Sequence, residues 1–150
     1  MEDIILSTVK ENVCELTTED QWIQAFPIMN QLRTDLTLNT YLELLSDMNK
    51  EGYRLIALYN KNHIVALAGI NMSINFYNQR YVFINDLVTD SSNRSKGYGE
   101  KLLNYIHDWA RDKGAQYVSL ESGIQRKDAH RFYEEKMNYE KWCYSFRGKL

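Results

Sequence analysis

A single proline, two cysteines and no apolar run longer than Ile64–Ile70 set the first limits on this 150-residue chain. One proline leaves no room for a proline-rich linker or stalk. Cys14 and Cys143 form no C-x-x-C pair and no disulfide framework, which points to a reducing cytoplasm. A membrane-spanning helix needs about 20 apolar residues, far more than the longest run here, so no membrane is expected. The first residues, Met1-Glu2-Asp3, lack the basic-then-apolar order of a secretory signal. Three histidines, His63, His107 and His130, show no metal-ligand spacing, and no metal is expected. A pI of about 5.9 without a basic stripe argues against nucleic acid as a partner.

What is present suits a globular enzyme-sized core. Hydrophobic residues make up 44% and aromatics 13%, eleven of them tyrosine. A single domain over 1–150 is large enough to bury about two-thirds of its unfolded surface. The net charge of −2 is unevenly spread. Residues 1–50 carry three basic and nine acidic side chains, while residues 101–150 carry ten and seven. An anionic ligand on the basic half and a cationic substrate near the acidic half fit that split. A solvated acidic helix surface explains it more plainly.

Local patterns give an element order. Val9–Leu16 reads as an edge strand. Thr18-Glu-Asp-Gln21 is a capping box opening a helix towards Arg33, with Pro27 inside the pattern expected to kink or split it. A second helix is expected from Thr40 to Asn49, broken by Gly52. Tyr53–Tyr59 and Ile64–Ile74 read as paired strands around an Asn60–His63 turn. Tyr81–Thr89 is nearly continuous in β-branched, aromatic and aliphatic residues, as a buried strand requires. A helix follows with Leu102, Leu103, Ile106, Trp109 and Ala110 on one face and Gly114 to end it. Then come a strand over Tyr117–Ser122, a helix from about Lys127 and a last strand over Lys141–Phe146. The fold class is α+β, a mixed, largely antiparallel sheet with helices on both faces.

Between strand and helix lies Arg94-Ser95-Lys96-Gly97-Tyr98-Gly99. Glycines there let the backbone approach a ligand closely, and free N–H groups of a first helical turn favour an anion. Arg94 and Lys96 add positive charge, so the loop reads as a phosphate or pyrophosphate site. It is not the dinucleotide fingerprint G-x-G-x-x-G, nor the G-x-x-x-x-G-K-[ST] P-loop. It does match Arg/Gln-x-x-Gly-x-Gly/Ala. Downstream, Arg126-Lys-Asp-Ala-His-Arg-Phe-Tyr133 and its exit Met137-Asn138-Tyr139 match Asn-x-x-Ala-x-x-x-Tyr followed by Leu-Gly-Phe. Asn138 replaces the exit glycine, tolerably, because Asn also visits the left-handed conformation.

These two segments in register resemble the GNAT superfamily of acyl-CoA-dependent N-acyltransferases, well from Tyr81 to Phe146 and only architecturally before that. The resemblance implies the GNAT fold, which usually carries one further terminal strand. It implies acetyl-CoA as acyl donor, with its pyrophosphate on residues 94–99. Backbone N–H groups at Leu87, Val88 and Thr89 would meet the acyl carbonyl. Tyr133 matches the family's general acid, a phenol protonated at neutral pH; the alternative is a core tyrosine. Glu121, at a strand end, stands where some members carry a general base, strengthened by partial desolvation; it reads equally as an exposed acid. Asp86 competes with it. Alternation puts Asp86 on the face of Val82, Ile84 and Val88, an odd place for an unpaired charge, so base, substrate-ammonium partner and buried salt-bridge member stay open. Arg126, in place of the family's Asn, would reach a cofactor phosphate or an anionic substrate group, or be a solvated helix-start residue. His130 reads as structural. The implied activity is acetyl transfer to a primary amine, in a small molecule or a peptide, by direct attack in a ternary complex. A homodimer is compatible with it. The rival of another class is a non-catalytic acyl-CoA-binding regulatory or sensor module.

Overall fold

A computed structural model describes residues 11–150. Val9 and Lys10 of the expected edge strand, and the acidic Met1–Asp3, lie outside the described residues. The chain falls into two compact units, one ending at Ser119 and the other spanning Leu120–Leu150.

In the first unit, β1 (Glu11–Leu16) leads into α1 (Glu19–Leu32). Thr18 caps α1 as its sequence foretells: Gln21 N–H donates to Thr18 Oγ1 at 3.2 Å, and Thr18 N–H donates back to Gln21 Oε1 at 3.1 Å. Such a cap contributes about 1 kcal/mol. Pro27 does not split the helix, which runs unbroken through it. The missing N–H costs one intrahelical bond, and burial of Ala25 and Met29 on either side anchors both halves to the core. Helix α2 (Leu38–Lys50) starts earlier than its apolar pattern suggests, because Thr37 Oγ1 caps it by accepting from Thr40 N–H at 3.2 Å. Tyr41 ties the helices together, its hydroxyl donating to the Trp22 carbonyl at 2.7 Å.

Strands β2 (Arg54–Asn60), β3 (His63–Asn75) and β4 (Gln79–Thr89) form antiparallel neighbours, and β1 pairs antiparallel with β2. The sheet order is β1-β2-β3-β4-β5, with β5 at Tyr117–Leu120. Leu55, Ala57, Leu67 and Val88 line the face that packs with Ala25 and Met29 of α1 and Tyr41 and Leu45 of α2. Helix α3 (Tyr98–Asp112) joins β4 to β5 and buries Leu102, Leu103, Ile106 and Ala110. Gly114 ends it in the left-handed region at φ 80°.

One irregularity in this sheet matters for chemistry. Gly69 pairs with Asp86 but Ile70 pairs with Ile84, so Asn85 is an extra residue in β4 without a partner on β3. A one-residue bulge reverses the faces on either side of it. Asp86 therefore shares a face with Val88, Leu67 and the core under α1 and α2, while Ile84 and Val82 face the other way. The expectation that Asp86 lies on the same face as Val82 and Ile84 is overturned by this bulge.

The second unit holds α4 (Lys127–Arg131), which widens into a π turn over Phe132–Lys136, with Met137 N–H donating to the Phe132 carbonyl at 3.2 Å. Asn138 takes the left-handed conformation at φ 57°, as a residue in a glycine's place must. The expected last strand over Lys141–Phe146 does not form; residues 140–150 carry no regular structure. Alternation of Trp142, Tyr144 and Phe146 fits a strand, yet a strand needs a ladder to a neighbour, and among the described residues the sheet order has no sixth member.

Candidate active site

The end of β4 and the start of α3 hold the candidate residues of the first unit. Asp90 N–H donates to the Val65 carbonyl at 2.9 Å, which places the N–H of residue 90 on the β3 side. Alternation along the strand then turns Val88 N–H to β3 as well and aims Leu87 and Thr89 N–H the other way, towards the β5 side. Of the three backbone donors expected, Leu87 and Thr89 are the two not consumed by the β3 ladder. On that side β5 is short. Gln116 N–H donates to the Arg80 carbonyl, which ties the residue before β5 to the start of β4.

After Thr89 the chain makes a 3-10 turn (Ser91–Asn93) and then the glycine loop. Asp90 is the anchor of this turn. Gln31 donates to its Oδ1 at 2.9 Å and Asn93 to its Oδ2 at 2.9 Å. The Gln31 bond above all holds the Asp90 carboxyl below the usual range. Ser95 and Gly97 take left-handed conformations at φ 64° and 81°, and Gly97 is the N-cap of α3. A Cβ on Gly97 would meet nothing within 4 Å, so open space lies before the helix. Arg94, Ser95 and Lys96 are exposed, and neither cation has an ion pair among the described residues. First-turn N–H groups, two cations without an ion pair among the described residues and empty space are the features an anion cradle needs. A separate open cleft of about 530 Å³ lies between α1, the β2–β3 turn and Asp90. None of the predicted site residues lines it.

Asp86 is fully engaged. Its Oδ1 accepts from Arg33 Nε at 2.9 Å and its Oδ2 from the Tyr53 hydroxyl at 2.7 Å, with the side chain only 11% exposed. Of the three roles open to it, the structure shows the salt-bridge member. Tyr53 reaches Asp86 by lying across Gly69, where an added Cβ would come within 1.7 Å of the hydroxyl. Burial first, and then the Asp86 charge, push the Tyr53 phenol well up. Neither Arg33 nor Tyr53 stands in a recognisable motif. A glycine inside a long strand was the available signal, since it marks a bulge or a close approach.

The second unit carries the other candidates. Tyr133 is 8% exposed, its ring 5.5 Å edge-on from Phe132 and stacked 6.0 Å from Tyr139. Burial pushes its phenol up, partly offset by the Arg126 charge, so at neutral pH the hydroxyl keeps its proton. Glu121 is exposed rather than desolvated, and accepts from Ser145 Oγ at 3.1 Å. Arg126 is exposed at the N-cap of α4, and His130 is half-buried. Next to Glu121, the Ser122 hydroxyl is buried with no hydrogen-bond partner among the described residues. Sequence reading missed it.

Similarity to known proteins converges with this geometry. The model of the acetyltransferase (GNAT) family matches residues 17–139. An uncharacterised N-acetyltransferase, YhdJ of Bacillus subtilis (strain 168), is 47% identical over 134 residues, covering 89% of this chain and 94% of the relative. The aminoalkylphosphonate N-acetyltransferase of Salmonella typhimurium (strain LT2) is 33% identical over 129 residues, 81% of this chain and 82% of the relative. In fold, the aminoglycoside N-acetyltransferase AAC(6')-Iy solved with CoA superposes with a TM-score of 0.81 at 10% identity, over 93% of this chain and 94% of the other. Among the described residues no helix is long and apolar enough to cross a membrane.

Proposed function

Because the chain belongs to the acetyltransferase (GNAT) family and is an acyl-CoA-dependent N-acyltransferase, we propose that it moves an acetyl group from acetyl-CoA to the primary amine of a small molecule, acting as a single cytoplasmic domain over 1–150. The observation that carries this reading is the glycine loop Arg94–Gly99 with its exposed cations, directly after backbone N–H groups of Leu87 and Thr89 that point away from β3. Pyrophosphate binds the cradle, with Arg126 as a further cation for a cofactor phosphate. Leu87 and Thr89 N–H polarise the acyl carbonyl.

The amine nitrogen attacks the carbonyl carbon, a C–N bond forms and the C–S bond breaks. Tyr133 donates its proton to the departing thiolate, and the ammonium proton passes to Glu121, directly or through water. Asp86 is not that base in this reading, since both its oxygens already accept hydrogen bonds. Of the two free cysteines, Cys14 lies in β1 with its thiol pushed up by burial, a poor acyl carrier, while Cys143 is exposed and outside the motif residues. The named activities of the relatives make aminoalkylphosphonates and aminoglycosides the first acceptors to try.

The test couples binding to turnover. CoA should raise the melting temperature by mass action, and an amine panel of aminoalkylphosphonates, aminoglycosides and polyamines should release free CoA from acetyl-CoA. Tyr133→Phe should lower the rate roughly 10²–10⁴-fold, the scale of general acid catalysis. Its acetyl-CoA affinity should move less than about tenfold, since a neutral hydrogen bond contributes about 0.5–1.5 kcal/mol. No thermal shift with saturating CoA would sink the reading; normal turnover by Tyr133→Phe would remove the general acid.

A further inference from the structure

We propose that Arg33 is a positioning residue for acyl transfer: it clamps the end of α1 onto the β4 bulge and so fixes the Leu87 N–H that polarises the acyl carbonyl. The proposal rests on the function proposed above and adds to it a residue outside every motif.

The bulge creates the need for a clamp. Asn85 has no partner across the β3–β4 ladder, so its carbonyl must be satisfied elsewhere. Arg33 Nη2 donates to that carbonyl at 2.9 Å, while Nε of the same guanidinium donates to Asp86 Oδ1 at 2.9 Å. Two consecutive residues of β4 are thus held by one planar group. From the other side the Tyr53 hydroxyl holds Asp86 Oδ2, and Asn85 Nδ2 donates to Asn71 Oδ1 at 2.9 Å. The next residue is Leu87. Its amide can be no better placed than the two residues before it.

The geometry assigns orientation as well as stability to Arg33. Its own side chain is 48% exposed but that of Asp86 only 11%, so losing the pair also carries a folding cost, which the melting temperature reads separately from kcat. A guanidinium, however, offers two N–H directions in a rigid fork, and here they meet two acceptors one residue apart. A lysine at the same place is a point donor without that fork. Displacing a polarising donor by about 1 Å is enough to cost about 10²-fold in rate.

The test separates the clamp from the function on which it rests. In the ligand-free protein, amide hydrogen exchange at residues 85–89 should be faster in Arg33→Ala than in wild type; unchanged exchange overturns the clamp without reference to activity. With whichever amine the wild type acetylates, Arg33→Ala should lower kcat roughly 10- to 100-fold. Its Kd for CoA, which carries no acyl carbonyl, should stay within about threefold, because the cradle is untouched. Arg33→Lys should recover only part of the rate. Arg54→Ala removes a comparably exposed arginine ion pair, to Glu15, and should leave both values unchanged. A kcat within about threefold of wild type in Arg33→Ala overturns the proposal, as does a parallel fall of kcat, CoA affinity and melting temperature. If Arg33→Ala fails to fold, Tyr53→Phe takes its place: it keeps the ring, removes only the bond to Asp86, and must show the same split to a smaller degree. Wild-type protein that binds no CoA would overturn the acyltransfer reading itself, and the clamp's catalytic role with it.

Discussion

Gly69 is the residue on which the Asp86 network depends. Its lack of a Cβ is the reason Tyr53 can lie over the sheet and reach a carboxylate two strands away. Gly69→Ala should therefore destabilise the protein by about 1–3 kcal/mol, as overpacking does, read as a lower midpoint in denaturant. Tyr53→Phe should not rescue it, because Tyr53 Cζ also lies only 2.2 Å from the added carbon. A full rescue by that double variant would show the hydroxyl alone to be the obstacle. Tyr133 illustrates the opposite relation of residue to neighbours. Its rings of contact, Phe132 and Tyr139, keep it buried and protonated, and that is the form a proton donor needs.

At the scale of elements, the 94–99 loop and α3 act as one device. Gly97 supplies a left-handed turn that starts a 15-residue helix, and the empty space beside it is where, in the proposed function, the CoA pyrophosphate approaches. Gly97→Ala meets no atom in the folded chain, so its cost is the strained φ alone, about 1–2 kcal/mol. Its effect on CoA should be larger in proportion: the new methyl group occupies the approach to the first-turn N–H groups, and affinity should fall more than about tenfold. Calorimetry of CoA binding against thermal unfolding separates the two effects. Pro27 offers a complementary element-scale prediction. Helix α1 is continuous through it, so Pro27→Ala restores one N–H to an intact helix and should stabilise by about 1–2 kcal/mol, less than the full helix-interior penalty because proline also stiffens the unfolded chain.

Across the molecule, buried phenols set the alkaline limit. Tyr41, Tyr53, Tyr133 and Tyr139 are all pushed up, chiefly by burial, with the Asp86 charge adding to the first two and Tyr133 to the last. A folded-state pKa raised above the unfolded value near 10 means the contribution is fully present below about pH 10. It is lost as pH rises towards the folded values, because only the unfolded chain ionises readily there. The melting temperature should hold from pH 7 to 9 and fall steeply above about pH 10. Phenolate absorbance should report these four tyrosines ionising together with unfolding. Ionisation of these four before unfolding would contradict this.

The family, the α+β class, the strand-to-helix order and the glycine loop between β4 and α3 were legible in the chain itself. Each is written in short-range signals: a capping box at Thr18, period-2 runs in β2 to β4, an apolar stripe on α3, glycines at 97 and 99. Such signals act within a few residues and survive without knowledge of what lies opposite. What only the tertiary structure decided is whatever depends on register between strands. The bulge at Asn85 is an event of pairing, invisible to alternation within β4, and it moved Asp86 from one face to the other. The same pairing turned Val88 N–H into the ladder and pointed the Leu87 and Thr89 N–H groups away from β3, and gave Asp86 two partners drawn from residues 33 and 53. Lys141–Phe146 alternates well and still forms no strand, because alternation prepares a face but only a neighbouring backbone supplies the hydrogen bonds that make one.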